Sequence, residues 1–171
     1  FNNMNKIVII YGTLTGNTEE AAIEIKEKLG SELTTLIDVY DASASDLENY
    51  DNIIFGASTW GIGDLQEDFT DFLPVIEATN MKNKKVAIFG FGDQDYYPDT
   101  FVDGMGVIYE CLNKKGCDII GYVSTEGYEY EESRAVINGK FIGLPLDYEN
   151  QDKLTSDRIS NWLDQIKPEF N

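Results

Sequence analysis

Hydroxyls, an amide and two glycines crowd the stretch Tyr11-Gly12-Thr13-Leu14-Thr15-Gly16-Asn17-Thr18, and no residue from Thr13 to Thr18 is charged. Such a set can hold an anion with neutral donors. The apolar run Ile7-Val8-Ile9-Ile10 precedes it and reads as a buried strand, while Ala22, Ile25 and Leu29 follow at helical spacing, with Gly30 as a stop. A chain that turns there from strand to helix leaves free backbone N–H groups at the positive end of the helix dipole, a setting suited to phosphate. Taken alone, the stretch also reads as an ordinary turn with polar caps.

The residue types narrow the chemistry. A nucleotide-hydrolysing loop needs Gly-Lys-Ser/Thr, because lysine and magnesium must neutralise the transferred group, and here Asn17-Thr18 follows Gly16. The dinucleotide pattern Gly-x-Gly-x-x-Gly is absent too. The loop therefore suits holding a terminal phosphate and is poorly equipped to cleave one. The chain contains no histidine, which removes the usual general base, the usual zinc ligand and the usual partner of a Ser or Cys nucleophile. Cys111 and Cys117 are not spaced Cys-x-x-Cys and read as reduced core residues. Any reaction here is expected to be carried by a bound cofactor.

Two further polar loops interrupt the apolar pattern. Asn52 to Ala57 reads as a buried strand and ends in Ser58-Thr59-Trp60-Gly61-Ile62-Gly63-Asp64. Lys84 to Gly90 reads as another and ends in Phe91-Gly92-Asp93-Gln94-Asp95-Tyr96-Tyr97-Pro98. Each loop sets an aromatic among small polar residues, where core packing does not explain it.

Between and beyond these loops, Glu32 to Val39 has the mixed content of an edge strand, and Ser45 to Glu48 starts a short helix. Leu65, Phe69, Phe72, Leu73 and Ile76 mark a helix that Pro74 is expected to end or kink. Phe101, Met105, Ile108 and Leu112 mark the next, closed by Gly116. A fifth strand begins at Cys117 and breaks at Ser124; Ser124 to Asn138 reads as an inserted loop or small hairpin, and strand character resumes over Lys140 to Leu144. Ile159, Trp162, Leu163 and Ile166 form the last helix. Alternating strands and helices imply a parallel sheet with helices on both faces. In such sheets ligands sit beyond the carboxyl ends of the strands, where the strand order reverses, and all three loops lie at that end.

Composition sets the outer bounds. The 171 residues are expected to form a single domain, residues 1–171, with the insertion at about 124–139. Thirteen basic residues stand against 31 acidic ones, a net charge of -18. That field repels nucleic acid and anionic membrane surfaces and draws in basic partners at rates that fall with salt. No apolar run is long enough to span a bilayer and nothing resembles a signal peptide, so a cytoplasmic monomer is expected. Phe1-Asn2-Asn3 precedes the first methionine, Met4, and is given no structural weight.

Jointly the three loops resemble the flavodoxin family, and the match runs from about Asn5 to Lys167. Thr13-Leu14-Thr15-Gly16-Asn17-Thr18-Glu19 is similar to the family's phosphate loop. Ser58-Thr59-Trp60-Gly61-Ile62-Gly63 is similar to its first flavin-flanking loop, and Phe91, Gly92 and Asp93 through Tyr97 to the second, with Tyr97 at the stacking position. The broken fifth strand resembles the long-chain subfamily. The resemblance implies a flavodoxin-like three-layer sandwich, α/β, with a five-stranded parallel sheet of order 2-1-3-4-5. It implies FMN as cofactor, held non-covalently, and no metal or catalytic residue.

The site would sandwich the flavin ring between Trp60 and Tyr97, with Asp147 or Glu149 near the ribityl chain or else solvated at the surface. The function implied is that of a low-potential one-electron carrier passing through oxidised, neutral semiquinone and hydroquinone states. Full reduction adds a desolvated negative charge with no cationic partner, which lowers the last potential. The semiquinone avoids that charge, and the resemblance implies that the Gly61 carbonyl turns to accept its N5–H. Implied partners are basic-surfaced redox enzymes such as a ferredoxin/flavodoxin-NADP reductase and an electron acceptor enzyme. Rival readings are an NAD(P)H-dependent quinone reductase of related fold, a flavin storage or sensor module, and a phosphorylated receiver domain. The last is excluded because Gly56-Ala57-Ser58 stands where its aspartate must be.

Overall fold

The structure, a computed structural model, describes residues 5–171, so the expectation about Phe1-Asn2-Asn3 lies outside the described residues. Strands β1 (Ile7–Tyr11), β2 (Thr34–Asp38), β3 (Asn52–Trp60) and β5 (Lys85–Phe91) pair in parallel, with β2 at the edge and β3 at the centre. The short β4 (Asp64–Leu65) turns back antiparallel on β3. On the far side of β5 one strand position is filled twice. β6 (Asp118–Ile120) pairs with Lys85 to Ala87, and β10 (Leu144–Leu146) pairs with Phe89 to Phe91. Counting that position once, the order is the 2-1-3-4-5 that the resemblance implied.

Period-two alternation explains why both sheet faces are covered. Ile7, Ile9, Ile54 and Phe89 point to the side where helices α1 (Asn17–Leu29) and α6 (Thr155–Ile166) bring Ala22, Ile25, Ile159 and Trp162. Val8, Ile10, Ile53, Phe55 and Ile88 point to the other side, against α2 (Ala44–Glu48), α3 (Glu67–Ala78) and α4 (Asp103–Leu112). Phe55 and Phe69 meet there edge to face, centroids 5.6 Å apart. Helix α3 does not end at Pro74 but runs on to Ala78, because Phe69, Phe72 and Ile76 bury its apolar face across the proline.

The insertion differs from expectation in its limits and form. The main sheet is left after Ile120 and rejoined at Leu144. Between them β7 (Val123–Ser124), β8 (Val136–Ile137) and β9 (Lys140–Phe141) make a separate three-stranded antiparallel sheet, with β9 in the middle. Lys140-Phe141 therefore does not resume the fifth strand. Asn138 and Gly139 both adopt positive φ, 53° and 81°, as a two-residue hairpin turn demands, and they fold Lys140 back onto Ile137. Before α6 come the short helix α5 (Tyr148–Gln151) and a 3-10 turn over Asp152–Leu154.

Candidate functional site

The site is assembled at the carboxyl ends of β1, β3, β5 and β10. After β1, Gly16 takes a left-handed φ of 95°, and its N–H donates to Thr13 Oγ1 at 2.9 Å. No side chain among the described residues caps α1, whereas Gln66 caps α3 through the Phe69 N–H at 2.9 Å. The first-turn N–H groups of α1 are thus left for a ligand. Thr18 is wholly buried, and its hydroxyl shares a 2.7 Å hydrogen bond with Ser58 Oγ, which locks the start of α1 to the end of β3. Beside them the Tyr11 hydroxyl donates to Glu19 Oε2 at 2.7 Å; burial, then that carboxylate, holds the phenol well above its ordinary range, so it remains protonated.

After β3 the expected polar loop is a tight hairpin. Strand β3 continues through Trp60, which pairs with Asp64, and Gly61 and Gly63 take φ of 49° and 86° on either side of Ile62. The turn is short enough that Ile62 at its tip is exposed. Thr59 Oγ1 accepts the Gly104 N–H at 2.9 Å and so braces the hairpin on α4. The indole N–H of Trp60 is buried without a partner among the described residues, an open donor beside the cavity.

After β5 the chain makes a turn in which Asp93 Oδ1 accepts the N–H groups of Asp95 and Tyr96, and Tyr97 N–H donates to the Asp93 carbonyl at 2.9 Å. After β10, Asp147 caps α5 by accepting the Asn150 N–H at 3.1 Å. It is fully buried, so the surface role considered for it does not hold; its carboxylate takes hydrogen bonds from Gln94 and Asn150.

These four ends enclose a cavity of about 250 Å³ lined by Thr15, Asn17, Ser58, Thr59, Trp60, Gly61, Phe91, Gly92, Asp93 and Tyr97, joined by Tyr148 and Glu149. Of the residues singled out in the sequence, Thr13, Leu14, Gly16, Thr18 and Ile62 do not line it. Thr13 and Thr18 shape its wall from behind, while Leu14 and Ile62 are exposed beyond it. Tyr148 was not foreseen. Its signal was available: it follows the apolar run Leu144-Pro145-Leu146, and the strand-end rule applies to that run as to the others.

Among the described residues no lysine or arginine lines the cavity, whereas Asp93 and Glu149 do. A larger depression of about 520 Å³ lies against the insertion, but Asp99, Asp103, Glu131 and Glu132 line it, and among the described residues no strand of the main sheet contributes to it. Burial raises the Asp103 carboxyl above its ordinary range, although its Oδ1 accepts the Arg134 N–H at 2.8 Å. No cluster among the described residues is arranged to hold a metal ion, and no helix among them is long and apolar enough to cross a membrane. Both cysteines are free and half-buried, and burial and Glu77 push the Cys111 thiol up to about 11.

The family model for flavodoxin matches residues 9–162. The chain belongs to the flavodoxin family. It is 48% identical over 170 residues to a flavodoxin of Trichodesmium erythraeum, across 98% of this chain and 99% of that one. It is 44% identical over 165 residues to a flavodoxin of Nostoc sp. PCC 7120, across 96% and 97%. In three dimensions it matches the crystal structure of Fusobacterium nucleatum flavodoxin bound to flavin mononucleotide with a TM-score of 0.94 and 36% identity, covering 98% of this chain and 100% of that one. The broken fifth strand thus belongs to a flavodoxin fold, and the cavity lies where that fold reverses its strand order.

Proposed function

We propose that this flavodoxin binds FMN non-covalently in the cavity between the α1 start, Trp60 and Tyr97, and acts as a low-potential one-electron carrier between redox enzymes. The observation that supports it is the joining of two aromatic side chains and an uncapped helix start in one cavity whose donors are neutral. The first-turn amides of α1, with Thr15 and Asn17, would hold the phosphate, and Trp60 and Tyr97 would hold the ring; the flavin supplies the electron chemistry. At about 250 Å³ the cavity is smaller than one that swallows a ligand whole. A ring edge left toward solvent lets a partner approach closely.

The acidic surface would dock on basic patches of partners such as a ferredoxin/flavodoxin-NADP reductase and an electron acceptor enzyme. The net charge of -18 makes electron-transfer rates with such partners fall as ionic strength rises. A cytoplasmic monomer of a single FMN-binding unit fits this role. With no basic side chain at the cavity to take a nicotinamide nucleotide's phosphates, the protein is expected not to turn over NAD(P)H by itself. The test is titration of the apoprotein with FMN, followed by stepwise anaerobic reduction with and without NADPH. Quenching of flavin fluorescence with negligible oxidation of NADPH is expected; a protein that takes up no FMN would end the proposal.

Gly61 bears on the potentials. Its φ of 49° is a conformation that a β-branched residue adopts only under strain. Gly61→Val should restrict the rotation of the Gly61–Ile62 peptide and narrow the gap between the two one-electron reduction steps, read by spectroelectrochemical titration. An unchanged gap would remove this peptide from the tuning of the cofactor.

A further inference from the structure

Resting on that FMN reading, we infer that Gln94 is a positioning residue that ties the Asp93–Tyr97 turn to buried Asp147 and to the insertion, and so sets where Tyr97 stands against the ring. Gln94 is 5% exposed although it sits in a surface turn. Its N–H and its Nε2 both donate to Asp147 Oδ2, at 3.0 and 2.8 Å. Nε2 also donates to Gln151 Oε1 at 2.9 Å, and Oε1 accepts the Glu129 N–H from the insertion at 2.5 Å. Every polar atom of the side chain is therefore used, and its partners come from two separate stretches of chain, Asp147 to Gln151 and the insertion. An amide supplies two N–H donors on one atom, here for the Asp147 carboxylate and Gln151, together with a separate carbonyl acceptor for a backbone N–H, a combination that a hydroxyl or an imidazole lacks.

The insertion holds the far end of the same segment. Pro98 O accepts the N–H groups of Glu131 and Glu132, at 2.8 and 3.0 Å, and Ser133 Oγ donates to Phe101 O at 2.5 Å. Between this clasp and α4, Val102 is fully buried with φ 48° and ψ 33°, a left-handed conformation that a valine keeps only where its surroundings impose it. Tyr97 lies between the two fixed points, Gln94 and Pro98. It is 36% exposed, and its ring packs edge-on against Tyr96, centroids 4.9 Å apart, which is itself exposed on the same turn. Its placement is set from both ends of the turn, and the insertion supplies a part of each.

The test is a double-mutant cycle on FMN affinity, read by fluorescence quenching, with urea unfolding of each apoprotein alongside. Wild-type uptake is measured first; if it fails, the FMN reading falls and this inference with it. Given normal uptake, Gln94→Leu should raise Kd about tenfold, since it strands buried hydrogen-bonding groups at the turn. In a Tyr97→Ala background the same change should raise Kd less than about threefold, because the group being positioned is gone. An equal effect in both backgrounds, or lost apoprotein stability with an unchanged Kd, would show a merely structural role and overturn the inference while leaving FMN binding intact. Should Gln94→Leu not fold, Ser133→Ala loosens the other end by one hydroxyl. It should raise Kd about threefold with Tyr97 present and not in its absence, and uncoupled behaviour overturns the inference equally.

Discussion

Trp60→Ala is expected to weaken FMN binding by about 30- to 150-fold, the largest functional effect of any single change at the cavity. The indole is the last residue of β3 and lines the cavity from a hairpin braced on α4 through Thr59. Stacking a flavin on it removes apolar area from both partners and adds the face-to-face term of an aromatic pair, together roughly 2 to 3 kcal/mol. The loss should appear in Kd and hardly in apoprotein stability, because the ring is only half-buried without a ligand. Trp60→Phe separates two contributions. It keeps the stacking face and deletes an indole N–H that no protein group among the described residues accepts. A further loss for Trp60→Phe beyond that of ring size assigns the N–H to the ligand. A change of less than about threefold for Trp60→Ala would mean that the ring does not stack there.

Gly143→Ala is expected to destabilise the apoprotein by about 3 kcal/mol, at the upper end of overpacking effects. Gly143 is where the chain returns from the insertion to run beside β5. A β-carbon there would fall on the backbone carbonyl of Ile88 and press on Met105 Cε at 2.9 Å. Met105 can move, but the Ile88 carbonyl belongs to the β5 backbone, at the step where β10 begins to pair with Phe89. The strain therefore reaches the strand whose end carries Phe91, Gly92 and Asp93 into the cavity. Urea unfolding of the apoprotein measures the effect. A loss below about 1 kcal/mol would show that the return path is looser than this approach implies. FMN should recover part of the loss by mass action, since it binds the folded state alone.

Local pattern accounts for how much could be read before the chain was seen folded. Ile7 to Ile10 and Asn52 to Ala57 are apolar runs bounded by turn residues, and the faces of α3 and α6 recur at helical spacing. Each signal lies within a few turns of chain, where propensity and periodicity operate. The uncharged stretch from Thr13 to Thr18 and the aromatics Trp60 and Tyr97 were legible for a different reason. Neither belongs to any periodic apolar face, and a residue that breaks a pattern invites a second explanation.

The misreadings have two causes, a local hairpin turn and pairing across distance. Lys140-Phe141 has strand character in either sheet, and only the positive φ at Asn138 and Gly139 sends it to β8 instead of β5. Asp147 looked like a surface carboxylate because its partner Gln94 lies far away in sequence, and its burial exists only once β10 and the turn after β5 are side by side. Tyr148 enters the cavity by the same adjacency.

By itself, then, the amino-acid order determined the elements, the kind of loop at three strand ends, and the absence of charged donors for an anion. Tertiary structure alone decided that those loops share one cavity, that Tyr148 and Glu149 join it, and that the insertion grips the turn carrying Tyr97. The division is physical. Helix, strand and turn preferences act between neighbours in sequence, whereas a cavity and a buried carboxylate with its donors exist only when segments remote in the chain are packed together.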